Sequence, residues 1–301
     1  MEEKEPLRVV SVSLGSPSRD HTAHAHLLGR DWEIERRGTG GDLKRARALI
    51  AELDGHVAAI GLGGIDLFLV AGGARYPVRD AQKLARAAKV TPVVDGSGLK
   101  DTLERNAIRW LQEQGIVDFK GCKVGLTSAA DRFGMAEEFV RLRADVSFGD
   151  WIFVLSLPFQ MKSLAAVRRC ARIVLPIAGR LPFSLLYPTG KKQNTILDKP
   201  LHRRFFEENE VIAGDFLLIR RYLPRDLKGK TIITNTVTSG DVELLRERGA
   251  KRLVTTTPEF GGRSFGTNVM EGILAAVGDK TAEDYERRLA ELDWKPRVIE
   301  F

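Results

Sequence analysis

Apolar residues along this chain fall into short runs, separated by stretches in which they recur every three or four positions. Residues 7–14 (LRVVSVSL) form the first such run and read as a strand that ends in a Gly-Ser turn. Residues 32–36 suggest a second, shorter strand. Asp42 then opens a helix to about residue 53, because its carboxylate can accept the unpaired N–H groups of a first turn. Strands are predicted at 57–60, 65–70 and 90–94, and helices at 80–89 and 101–113. A passage at 115–121 leads to further strands at 122–127, 144–148, 152–157, 211–219, 231–236 and 252–256. The periodic stretches between them predict helices at 132–142, 163–175, 240–248, 267–277 and 282–292. Short strands alternating with helices specify α/β architecture with a mainly parallel sheet. We therefore expect two lobes of mainly parallel βα units, the second Rossmann-like, with a cleft between them. The expected division is 1–118, 119–280, and a final helix and tail at 281–301 that packs back on the first lobe.

Composition narrows the class. The chain has 301 residues, is 43% hydrophobic and carries a net charge of +7. That length suits two α/β lobes, and the apolar content is that of a folded protein. Basic residues are mostly interleaved with acidic ones, and no nucleic-acid motif occurs, so a small anionic metabolite is a better expected partner than nucleic acid. Two cysteines, Cys122 and Cys170, lack metal spacing and suit free thiols in a cytoplasmic protein. The most apolar stretch, 151–187, is interrupted by Lys162, Arg168, Arg169, Arg172, Arg180 and three prolines, so no membrane span is expected. It reads as a buried element followed by a basic amphipathic helix, with a membrane-surface role as the lesser alternative.

Several segments could carry chemistry. In residues 123–139 (KVGLTSAADRFGMAEEF) a strand ends in a small-residue turn that feeds a helix. Such turns present N–H groups and a positive dipole end to a phosphate. Thr127, Ser128, Ala129, Asp131, Arg132 and Gly134 are the candidate cofactor residues, although the turn is not GxGxxG. Asp150 follows some twenty residues on, where dinucleotide folds place an acid for a ribose hydroxyl. In TPVVDGSGLKDTLER a strand delivers Asp95 and Ser97, and then Lys100 and Asp101 at a helix start. Lys100 with Asp101 or Asp95 is an acid/base pair or an anion clamp; the plainer alternative is a helix cap beside a solvated lysine. Gly40 and Gly41 in RRGTGGDLKRA, and Ser13, Gly63 and Asp66 near the other strand ends, are candidate substrate contacts. Thr234, Asn235 and Thr236 form a polar strand end assigned to the cofactor, while Lys191 and Arg263 could hold an anion. HTAHAH offers His21, His24 and His26, but no third ligand type supports a metal, and a solvated helix start is the preferred reading. No covalent-nucleophile motif is present.

Taken together, SVSLGSPSRDH, GTGGDLKRA, GLGGIDLFL, VDGSGLKDTLERN, SAADRFGMAEEF, LPFSLLYPTGKKQ and TTTPEFGGRSFGTNVMEG resemble bacterial proteins labelled quinate 5-dehydrogenase, over nearly the whole chain. The resemblance implies an N-terminal substrate lobe, a C-terminal NAD or NADP lobe, and a cleft lysine and aspartate that move the proton of the hydroxyl being oxidised. It implies an oxidoreductase acting on a polar hydroxy acid. The sequence departs from dehydrogenases of that kind in lacking their substrate motif and in carrying TSAADRFG where their glycine fingerprint stands. A non-nicotinamide isomerase, lyase or transferase, or a non-catalytic metabolite-binding protein, is the alternative, and a homodimer is left open.

Overall fold

The computed structural model describes residues 5–71, 74–154, 156–182, 196–257, 259–260, 263–264 and 266–301. Two parallel sheets organise them. The first lobe is built on β1 (Leu7–Ser13), β2 (His21–Leu27), β3 (Arg30–Gly38), β4 (Ala59–Gly63) and β7 (Val93–Val94), in the order β2-β3-β1-β4-β7. Only β2 runs antiparallel. Val9 is buried on one side of β1 and Val10 and Val12 on the other, which explains why valines occupy both of its faces. α1 (Leu43–Leu53) starts where predicted, with the Asp42 carboxylate accepting from the Lys44 and Arg45 N–H groups. A hairpin of β5 (Phe68–Ala71) and β6 (Ala74–Pro77) precedes α2 (Arg79–Ala85).

α3 (Ser97–Glu113) links the lobes. Its first half puts Leu99 and Leu103 into a core with Val9, Trp32 and Ile34. Its second half puts Ile108 and Leu111 into a core with Val124, Leu126 and Phe139.

The second lobe contains β8 (Lys123–Leu126), α4 (Phe133–Arg141), β9 (Asp145–Phe148), α5 (Asp150–Phe153), α6 (Leu164–Ala178) and α7 (Pro200–Glu208). It continues through β10 (Val211–Gly214), α8 (Phe216–Arg221), β11 (Thr231–Thr234), α9 (Ser239–Glu247) and β12 (Arg252–Thr255). A small hairpin follows, β13 (Glu259–Phe260) with β14 (Arg263–Ser264). Strand order is β15-β12-β11-β10-β8-β9, where β15 (Arg297–Glu300) is the one antiparallel member. The order reverses between β8 and β10, and ligands of open α/β sheets bind beyond the strand ends at such a point.

The chain then recrosses. α10 (Thr267–Val277), within the range expected for the second lobe, packs on β1, β4 and α3 of the first. Gly61 permits that approach: a Cβ there would lie 2.9 Å from the Asn268 carbonyl oxygen. α11 (Ala282–Glu291) adds Tyr285 and Leu289 to the same core, and β15 returns to the second sheet.

Four local expectations are corrected. HTAHAH is an edge strand, β2, and not a helix start. Its pairing with β3 follows from the tight Leu28-Gly29 turn, where both residues have positive φ. The strand expected at 32–36 extends over Arg30–Gly38. The described residues of 152–157 do not form a strand; Ile152 and Phe153 belong to α5 and fill a core with Phe205 and Phe206. The run 211–219 is a four-residue strand that ends at Gly214, after which the Asp215 side chain caps α8.

Candidate functional site

α3 enters from the first lobe directly above the β8–α4 turn of the second. Lys100, one turn into α3, donates to Asp131 Oδ1 at 2.6 Å. One turn further, Glu104 pairs with Arg132. The same guanidinium meets Asp131 Oδ2 at 3.0 Å and Asp215 Oδ2 at 3.0 Å. Asn235, at the end of β11, donates to Asp215 Oδ2 at 3.1 Å. Two cations and three carboxylates therefore meet at the seam, drawn from α3 and from the ends of β8 and β10. Glu104 and Arg132 are buried.

Electrostatics set the protonation states here. Burial and the nearby Arg132 push the Lys100 ammonium down, but Asp131, Asp66 and Glu104 outweigh them and hold its pKa above the ordinary lysine value. Burial opposes ionisation of Asp131, yet Lys100 and Arg132 overcome it and keep its carboxyl below the usual range. Burial wins at Glu104 and raises it. Lys100 is thus a charged donor at neutral pH. Of the two roles open to Lys100, acid/base group or anion clamp, the carboxylates around it favour the charged donor over a lysine that exchanges its proton near neutrality.

Asp101 does not partner Lys100. It lies on the outer side of α3, half-exposed, and pairs with Arg105 at 2.9 Å. Helical geometry explains this, since adjacent residues point about 100° apart. Gly134 packs against it, and a Cβ there would clash with the Asp101 carboxylate. Asp95 is also engaged elsewhere. It accepts from the Leu67 N–H, and from the Ser97 N–H and hydroxyl at 3.0 and 2.7 Å, stapling two first-lobe turns.

The β8–α4 turn carries its own anion. Asp150 accepts from the Ala129 N–H at 3.0 Å and the Ala130 N–H at 2.8 Å, with the Ser128 hydroxyl at 3.4 Å. Burial raises its pKa against those hydrogen bonds. These are the N–H groups a pyrophosphate would need, and Arg132 is held by three carboxylates. In this conformation the turn does not fit a dinucleotide phosphate, because the Asp150 carboxylate occupies its N–H groups. Thr127 is fully buried.

Other candidates serve packing. Ser13 accepts from Arg36 at 2.9 Å, and Gly63 packs against it. Gly40 and Gly41 take positive φ in the turn that leads to α1, and the Gly40 N–H donates to Gly15. The Thr234 hydroxyl donates to the Gly214 carbonyl at 2.8 Å, and Thr236 faces Thr257 at 3.4 Å. This polar strand end, assigned above to the cofactor, is largely a set of hydroxyls satisfied by backbone. Asp66 lies close enough to act on Lys100. The hairpin carrying Arg263 runs beside β2, and its side chain lies outside the described residues, as does Lys191 with the segment 186–194. Among the described residues, no group of His, Cys, Asp and Glu could hold a metal ion, and no helix is long and apolar enough to cross a membrane.

Three charged residues were not singled out from the sequence. Glu104 stands four positions after Lys100, a spacing that places both on one helix face. Asp215 follows an apolar strand and precedes a helix. Glu271 is the lone charge in the apolar helix TNVMEGILAAV. Its Oε2 accepts from the Gly96 N–H at 2.6 Å and its Oε1 from the Tyr285 hydroxyl at 3.2 Å. Burial and the Asp95 carboxylate raise it to about 7.

Comparison with known proteins follows the fold. The chain resembles the Leu-bound hetero-hexameric glutamate dehydrogenase of Thermus thermophilus, with 14% identity, 95% of this chain and 74% of that one covered, and a TM-score of 0.44. It is similar to the NAD-dependent malic enzyme of Thermotoga maritima at 13% identity, covering 86% and 68%, with a TM-score of 0.34. A Burkholderia graminis solute-binding protein in complex with D-arabinose is 8% identical, with 100% and 97% covered and a TM-score of 0.38. No curated protein sequence matches. Residues 8–95 match the model of a domain of unknown function, DUF8753. Residues 98–301 match a second, also described as a domain of unknown function, and the chain belongs to that family, DUF8754.

Proposed function

We propose that the chain binds a small polar hydroxy or oxo metabolite, of the quinate and shikimate type, at the seam between its lobes. The observation that supports this reading is the Lys100–Asp131 pair, which brings a charged donor from α3 onto a strand-end carboxylate at the sheet's switch point. Lys100 would donate to a ligand oxygen in place of Asp131, and Asp131 would accept from a ligand hydroxyl. Carboxylates outnumber cations at the seam, so it suits the hydroxyl or carbonyl end of such a ligand and not its carboxylate. A cationic donor aimed at a carbonyl also stabilises negative charge that develops there.

Thermal-shift titration with a panel of hydroxy and oxo acids tests the reading, because a ligand that binds only the folded state raises its apparent stability. Lys100→Met should lower affinity at least tenfold for any compound that binds. Unchanged affinity would remove Lys100 from the site.

A second reading is an NAD(P)-linked oxidoreductase acting on the same compounds. The spacing of Asp150 from the β8 turn favours it, as does the second lobe's strand order, in which the first strand of the lobe lies inside the second. It requires Asp150 to leave the Ala129 and Ala130 N–H groups. Calorimetry with NAD(H) and NADP(H) distinguishes the readings. Binding weakened by Asp150→Ala supports the oxidoreductase, and no binding of either cofactor leaves the metabolite-binding reading alone.

A further inference from the structure

The seam pairs its cations with carboxylates, but the surface of α5 and α6 leaves arginines unpaired among the described residues. Residues 151–197 contain no aspartate or glutamate, in a chain with 40 acidic residues. Their described part carries Lys162, Arg168, Arg169, Arg172 and Arg180. Arg168 is used internally, pairing with Glu137 and lying over the Phe133 ring. Arg169, Arg172 and Arg180 are exposed and without an ion pair among the described residues. Arg169 and Arg172 share the outer face of α6 with Ile173, 70% exposed, and Ile177, 62% exposed, and Arg180 lies just beyond the helix end. At 100° per residue, positions 169, 172, 173 and 177 fall within one 140° arc. The opposite arc is buried, through Val167 and Ala171, in the second lobe's core. Val154 and Phe159, just before the helix, are also exposed. Large exposed aliphatics beside unpaired arginines mark an interaction surface.

We propose that this face is a docking surface for an anionic lipid bilayer, on which α6 lies flat at the headgroup level. Ile173 and Ile177 enter the acyl boundary, and Arg169, Arg172 and Arg180 meet lipid phosphates. Charge selects this occupant. A second copy seated by two-fold symmetry would oppose arginine to arginine across the contact. The following segment of the chain, 183–195, contains Lys191 and Lys192 and no acid, so it cannot neutralise the face. Nucleic acid would match the charge but leave the isoleucines without an apolar partner.

The test is co-sedimentation of the full chain with vesicles of phosphatidylcholine, pure or with 30% phosphatidylglycerol. We expect binding to the anionic vesicles alone, weakened by added salt. Arg169→Gln with Arg172→Gln should weaken it about 25-fold, at roughly fivefold per charge. Ile173→Ser with Ile177→Ser should abolish most of it with no loss of thermal stability, since both side chains are already in water. Arg203→Gln with Lys228→Gln removes the same charge from another surface and should have little effect. No binding to anionic vesicles overturns the proposal, and so does an equal loss in the charge control. If Ile173→Ser with Ile177→Ser instead converts a solution dimer to monomer and leaves vesicle binding intact, the face is a self-association surface and the proposal fails.

Discussion

α3 holds two charged sites within three turns, and they solve the burial of carboxylates in opposite ways. Toward the second lobe, Glu104 and Asp131 are met by Arg132 and Lys100. Toward the first, Glu271 and Asp95 are met by N–H and hydroxyl groups and have no hydrogen-bonded cation among the described residues. The first arrangement holds Asp131 ionised, although burial still raises Glu104. The second leaves a carboxyl that changes state near neutrality. Charge partners decide whether a buried acid is a constant or a variable.

Removing Arg132 breaks this contrast most severely. Arg132→Ala would leave Glu104, Asp131 and Asp215 facing one another with only Lys100 to balance them. We expect a loss of about 3–5 kcal/mol, measured by urea unfolding. Arg132→Lys should recover only part of it, because an ammonium cannot span three carboxylates.

Glu271→Gln sharpens the contrast by removing the variable. The folded pKa of Glu271, about 7, lies above its unfolded value, so the folded state binds more protons between pH 4.5 and 7. Stability associated with this group is therefore full below pH 4.5 and declines as pH rises through 7. The variant should match wild type at pH 4.5 and exceed it at pH 8 by about 2–3 kcal/mol. Equal stability at pH 8 would show that Glu271 stays ionised without penalty. Asp131 runs the other way. Its pKa is depressed, so its contribution is present above the unfolded value of 3.8 and is lost as pH falls further.

Asp150→Ala leaves the Ala129 and Ala130 N–H groups without their acceptor, and a cost of about 1–3 kcal/mol is expected. Added phosphate should restore part of that stability if the vacated turn can take an exchangeable anion. Asp101→Ala is the smallest change. Its pair with Arg105 is half-exposed, and Arg105 retains Glu137. The thermal midpoint should move by no more than about 1 kcal/mol allows.

The two-lobe α/β fold was legible because strand-sized apolar runs alternate with helical periods over most of the chain. The Asp42 cap was legible because it is a local interaction. Partners were not. Lys100 was found because it follows a strand-end turn, but its partner Asp131 stands 31 residues away and Asp101, its sequence neighbour, points elsewhere. The spacing of Asp150 from the turn was readable, whereas its bonding to the turn depends on two N–H groups whose orientation exists only in the folded turn. Hydroxyls near strand ends were assigned to a cofactor because pattern alone cannot tell a solvated threonine from one bonded to the adjacent strand's carbonyl.

The return path of the chain has a consequence for synthesis. Val269, Met270, Ile273, Leu274 and Tyr285 belong to the same core as Val9 and Trp32. The sheet of the second lobe is completed by Arg297–Glu300. As the polypeptide leaves the ribosome, the earliest residues must wait for nearly the whole of the rest before their apolar surface is covered. The core of the first lobe is closed only once α10 and α11 are in place, and the second sheet only once β15 is. A stalled or nicked chain lacking residues 267–300 would expose both half-built cores together, which makes it a substrate for chaperones and proteases and not a smaller working protein.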